Sequence, residues 1–149
     1  MWPQTFEERL RQWHDLRERV LEFPLEKQLH EINSWWSHAP RVNPFIHWHD
    51  KNNWLDPWEL LAENGYCELA SALGLAYTIL LVNSNADVVI ALAVDSSGND
   101  STILIVNDWI LNWDISSVIS KDDYIFKIKD SFNCSELTNK IGLKWHRSL

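Results

Sequence analysis

DPWELLAENGYCELASALGLAYTILLV, residues Asp56 to Val82, is the stretch on which the fold turns. Asp56 is a helix N-cap, Pro57 suits the first helical position, and Glu59 completes a variant of the capping box. Leu60 and Leu61 supply the apolar face of that helix, and Gly65 marks its end. Tyr66–Leu73 reads as a second short helix, closed by Gly74. From Tyr77 the period changes from helical to extended, so Tyr77–Val82 is expected as a strand. Three more short apolar runs follow: Val88–Val94, Thr102–Val106 and Trp109–Trp113. The turn-rich pieces Asn83–Asp87, Ser96–Asp100 and Asn107-Asp108 separate them. Tight turns between short strands imply an antiparallel meander. Tyr124–Ile128 is a candidate fifth strand, and Ser135–Ile141 a last helix ended by Gly142.

Upstream the period is helical. Thr5 and Glu8 form a capping box after Pro3, and Phe6, Leu10, Trp13, Val20 and Leu21 recur at helical spacing. Pro24 stops this helix. A second amphipathic segment runs from Leu25 through Leu29 and Ile32 to Trp35 or Trp36, and Pro40 closes it. Between them and Asp56 lies a loop holding Phe45, His47, Trp48, His49 and Trp54. Such a loop is either packed down over the core or exposed for a partner. The chain therefore reads as one domain over residues 1–149: a helical hairpin (1–40), an aromatic loop (41–55), short helices (56–74), antiparallel strands (77–128) and a C-terminal helix (135–141). The class is α+β, with N-terminal helices packed on an antiparallel sheet of about four or five strands.

The 149 residues match the commonest domain size, and a hydrophobic share of 46% suffices for a real core. A net charge of −8 and a pI near 5.1 argue against nucleic acid, whose affinity comes from neutralising phosphates. Arg9, Arg11, Arg17 and Arg19 are mixed with Glu7, Glu8, Asp15, Glu18 and Glu22, the pattern of a solvated helix face. Cys67 and Cys134 do not make a disulfide framework. No charged-then-apolar signal opens the chain, and the apolar stretch Leu69–Val82 is too short to span a bilayer. The expectation is residence in a reducing cytoplasm, or in a particle assembled there, with no membrane contact and no cofactor.

Cys67 is the first candidate site residue, because a helix N-terminus favours the thiolate. The other reading is a buried, inert thiol. A nucleophilic cysteine needs a histidine, itself oriented by Asp or Asn. Only His146 follows Cys67, and a base from the His47–His49 loop would be an unusual arrangement, which argues against catalysis. His47, His49 and Asp50 also hold metal-ligand chemistry if the segment is extended, but no third histidine follows at a helpful spacing and no metal is expected. Trp35 and Trp36 diverge by about 100° on a helix, so one of them lies near the surface. With Trp48, Trp54 and Trp58 they form either an aromatic patch for a protein partner or a lid on the core.

Ile32-Asn33-Ser34-Trp35-Trp36, Asp56-Pro57-Trp58-Glu59-Leu60-Leu61, Tyr66-Cys67-Glu68-Leu69-Ala70 with Ala72-Leu73-Gly74, and Ile110-Leu111-Asn112-Trp113-Asp114 carry a resemblance over roughly residues 25–115. The chain there resembles a family of small proteins of large tailed bacteriophages. That resemblance implies a virion or assembly component of the tail, baseplate or neck, with other virion proteins as partners in a hetero-oligomeric assembly. The middle also resembles the transglutaminase-like branch of the papain-like fold. In that branch a Cys on a helix N-terminus, with a small residue three positions on, precedes an antiparallel sheet carrying His and then Asp. Cys67 and Ala70 match the first element and Asp114 is the match for the last. The resemblance implies a His near Ser101 or Thr102, which this sequence lacks. The expected function is a non-enzymatic structural component acting through protein contacts. The alternative is a cysteine amide hydrolase or acyltransferase built on Cys67, His49 or His47, and Asp114.

Overall fold

The computed structural model describes residues 1–114 and 117–137. Helix formation begins at the two caps the sequence marks. The Thr5 side chain accepts from the Glu8 N–H and opens α1, Phe6–Val20. Asp56 accepts from the Glu59 N–H while the Glu59 carboxylate accepts from the Asp56 N–H, closing a full capping box. Between these helices α2 spans Leu25–Trp36, and after Asp56 α3 runs Pro57–Ala62.

The fourth helix corrects the sequence reading. α4 spans Glu68–Val82, so Gly74 does not end a helix and Tyr77–Val82 is not a strand. Every residue from Leu69 to Ile79 is buried. A run buried on all sides carries neither the 3.6-residue nor the two-residue period, which is why periodicity misassigns it. Gly74 serves a close approach instead. A Cβ there would stand 2.6 Å from Cη2 of Trp36, so only glycine lets the indole lie against the helix.

The sheet is antiparallel, in spatial order β4-β3-β2-β1-β5. Its strands are β1 (Val88–Val94), β2 (Asp100–Val106), β3 (Trp109–Leu111), β4 (Ile119–Ser120) and β5 (Lys127–Asn133). The fifth strand overlaps the expected Tyr124–Ile128 only at Lys127 and Ile128 and runs on to Asn133. A two-residue turn at Asn107-Asp108 sets Val106 opposite Trp109, with Asn107 at φ +50°. One face of the sheet carries Val88, Ile90, Leu104, Val106 and Leu111 into the main core with the helices. The other face carries Ala91, Ala93, Ile103 and Ile110, covered by Trp113, Ile119 and Tyr124. After β5 a 3-10 turn, Cys134–Leu137, occupies the described start of the expected C-terminal helix. The rest of that segment lies outside the described residues.

Three polar side chains tie the helices together. The Thr78 hydroxyl accepts from the indole N–H of Trp13 (2.8 Å) and of Trp36 (3.0 Å), and donates to the Gly74 carbonyl (2.7 Å). Arg9 is not on a solvated face. It is 3% exposed and donates to the carbonyls of Leu61 (2.6 Å), Ala62 (3.4 Å) and Pro3 (3.1 Å). The α3 C-terminus, with its unpaired carbonyls and negative dipole end, is what draws it inward. The Tyr66 hydroxyl completes that end by donating to the carbonyls of Leu60 (2.6 Å) and Glu63 (2.9 Å).

Candidate functional site

Two peptide segments place Cys67. Tyr66 donates its N–H to the Pro40 carbonyl at 2.8 Å, and Val42 donates to the Tyr66 carbonyl at 3.2 Å, forming an isolated parallel bridge. A Cβ on Gly65 would lie 2.5 Å from Cγ1 of Val42, so the glycine allows this approach. The chain then turns into α4 with Cys67 as its N-cap, whose side chain makes no capping bond. Cys67 is 2% exposed and lines a cleft of about 380 Å³. The loop contributes Pro44, Ile46, His47 and Trp48; α4 contributes Glu68 and Leu69; β1 contributes Leu92; and β2 contributes Asp100, Ser101 and Thr102.

Strand parity decides which β2 residue faces Cys67. Leu104 and Val106 point into the helical core and Ile103 into the opposite cluster, so Thr102 is on the α4 side. Both backbone groups of Thr102 are engaged. Its N–H donates to the Glu68 carboxylate, and its carbonyl accepts from the Asn112 amide at 2.8 Å. The same amide donates to the Glu68 carbonyl at 3.0 Å. Asn112 holds this geometry at φ +64°, a left-handed conformation that asparagine tolerates better than most residues. Besides Cys67, the ionisable side chains lining the cleft are His47, Glu68 and Asp100. Lys129 lies 3.4 Å from Asp100 in an ion pair open to solvent, of the kind that contributes little.

The structure does not assemble Cys67, His49 and Asp114 into one site. His47, His49 and Asp114 are all exposed, and of the three His47 alone lines the cleft. The physical reason is local: the Asp50 N–H donates to the His47 carbonyl, and a 3-10 turn follows at Lys51–Asn53. The segment is thus not extended, and the alternation that would put His47 and His49 on one face does not hold there. Among the described residues no three of His, Cys, Asp and Glu come together as a metal site. Asn112 is the residue that sequence reasoning missed. It stands two positions before Asp114, and the only signal is an asparagine at the end of a short strand. Cys134, by contrast, is wholly buried, and desolvation pushes its thiol up to about 12.

The tryptophans pack mainly as core. Trp36, Trp48 and Trp54 are buried, while Trp35 and Trp58 are partly buried, so the five do not form an exposed patch. The Trp35–Trp36 pair divides as helical geometry requires. Trp36 turns inward against Tyr66 at 5.5 Å, and Trp35 covers Trp2 at 4.6 Å. Trp48 and Trp54 draw the loop down as a belt onto β5. The Trp48 N–H donates to Asp130 at 2.9 Å, and Trp54 meets Phe132 edge-on at 5.2 Å.

No protein-family profile matches the chain, and no curated protein matches it. Solved structures do. Calcium-bound LapG from Legionella pneumophila is similar with a TM-score of 0.72 at 19% identity, over 89% of this chain and 78% of that one. A second LapG structure gives 0.72 at 18% identity, over 97% and 88%. EGTA-treated LapG gives 0.66 at 16%, over 90% and 84%. Similarity at this identity is a likeness of fold, and the fold is transglutaminase-like.

Proposed function

We propose that the chain is a non-enzymatic recognition module on a transglutaminase-like scaffold, acting through protein–protein contacts at the Cys67 cleft. The observation that carries this reading is Thr102. The β2 residue turned toward α4 beside Cys67 is a threonine, its N–H committed to Glu68 and its carbonyl to Asn112. No imidazole stands there to take the thiol proton, and a fold alone does not fix a function. The sequence resemblance extends the proposal to its setting: a structural component of a tailed-phage virion, in the tail, baseplate or neck. Mass spectrometry of gradient-purified particles should detect the protein, and its deletion should block assembly. Absence from the particle together with normal assembly would sink the virion assignment.

One observation favours a second reading, a cysteine amide hydrolase or acyltransferase. His47 lines the same cleft as Cys67. Alkylation by iodoacetamide separates the two. Reaction at Cys67 that stays fast well below the ordinary thiol pKa of about 8.5 supports an activated thiolate. Slow labelling of the folded protein supports the recognition module.

A further inference from the structure

The Cys67 cleft has apolar walls and a negative end. Ile46, Trp48, Leu69 and Leu92 line its sides, and Glu68 and Asp100 stand at the β2 end. Asp100 has Lys129 beside it. Glu68 has no cationic partner among the described residues, and only one of its carboxylate oxygens accepts a bond, from the Thr102 N–H. The remaining charge faces a cleft whose volume falls in the range of ligand sites. Such a cavity suits a side chain with an apolar stem and a cationic head. The net charge of −8 favours the approach of a basic partner over an acidic one.

We propose that the cleft receives an arginine side chain presented by an extended segment of a partner protein. This rests on the recognition reading above and names the partner's chemistry. The methylenes of the arginine lie against Leu69, Leu92 and Ile46, and its guanidinium reaches the free oxygen of Glu68 and the carboxylate of Asp100. A planar fork of donors matches carboxylates better than a compact ammonium and is more weakly hydrated, so arginine is preferred to lysine. No bond is made or broken.

The test uses the whole chain and the blocked tripeptide acetyl-Ala-Arg-Ala-amide. Counterparts carry citrulline, lysine or norleucine at the centre, and binding is read by titration calorimetry and by amide shifts at Leu69, Leu92 and Thr102. Citrulline keeps the shape of arginine and removes the charge. The arginine peptide is expected to bind about tenfold more tightly than the citrulline peptide at low salt, the difference between a charged and a neutral hydrogen-bond partner. Added salt should narrow the gap. Glu68→Gln keeps an oxygen for the Thr102 N–H, so the fold is retained, and it should erase the preference. Equal binding of arginine and citrulline, or an unchanged preference in Glu68→Gln, overturns the proposal while leaving a recognition cleft in place. No saturable shift with any peptide overturns both. An arginine preference accompanied by a covalent adduct on Cys67 supports the arginine site and overturns the non-enzymatic reading.

Discussion

Replacing Thr78 by valine keeps the shape of the side chain and removes the one acceptor shared by two buried indoles. Trp13 is 1% and Trp36 5% exposed, and each donates its N–H to the Thr78 hydroxyl. The neighbouring space lined by Trp13, Trp36, Leu60 and Gly74 has no room for a water molecule. Each stranded donor costs about 1–3 kcal/mol, so the pair costs about 2–6 kcal/mol. The lost donation to the Gly74 carbonyl adds little, since a helix carbonyl also accepts from the backbone. A loss near 3 kcal/mol would lower Tm by about 6–12 °C in a chain of this size. Urea unfolding followed by far-ultraviolet circular dichroism measures it, with an unchanged m value as the check on two-state behaviour. Thr78→Ser keeps the hydroxyl and loses one methyl, so it should cost only about 1 kcal/mol. Adding Trp13→Phe to parent and Thr78→Val should give a coupling energy of about 1 kcal/mol or more. Thr78→Val within about 0.5 kcal/mol of the parent, or Thr78→Ser worse than Thr78→Val, would refute the reasoning.

Gly74→Ala should destabilise by about 1–2 kcal/mol in chemical denaturation. The new Cβ meets the Trp36 ring, and overpacking outweighs the helix propensity gained. Arg9→Met should cost roughly 2–4 kcal/mol, because the carbonyls of Leu61 and Ala62 lose their charged donor. Hydrogen exchange should show α3 opening before α4 in that variant. The Trp48 indole, then the Ser131 N–H, holds the Asp130 carboxyl below its ordinary value. The folded state therefore binds fewer protons there than the unfolded chain does. Its contribution to stability is complete above the ordinary carboxylate pKa of about 4 and is lost as pH falls through the folded value. Thermal melts of Asp130→Asn should lack that part of the acid dependence.

Sequence reading succeeded where a local rule governs the backbone. The Thr5 and Asp56 caps, α1, α2, β1 and the Asn107-Asp108 turn all follow from neighbouring residues. It failed where long-range packing decides. Nothing near Tyr77 distinguishes a helix enclosed by three other helices and a sheet from a strand. Arg9 looks solvated until α3 brings its carbonyls from more than fifty residues away. β5 carries Lys127, Lys129 and Asp130 on an exposed edge, so it lacks the apolar alternation that marks a strand. In the cleft, Cys67 was visible through its helix start. Asn112 was not, because its role depends on a left-handed backbone and on strand pairing that brings Glu68 and Thr102 within reach.

The belt formed by Trp48 and Trp54 bears on the order in which the protein folds. Trp48 is a wall of the cleft, yet its indole is anchored to Asp130, 82 residues further along the chain. The strand that carries Asp130 pairs with β1, leaving β1 flanked by β2 and by the last strand of the sheet. The α1–α2 and α3–α4 pairs and the β1–β2 hairpin close over much shorter loops, at lower entropic cost. The Trp48 wall of the cleft is then expected to close late. In stopped-flow refolding, a Trp48→Phe variant should lose fluorescence amplitude from the slowest phase and leave the fast helical phase unchanged.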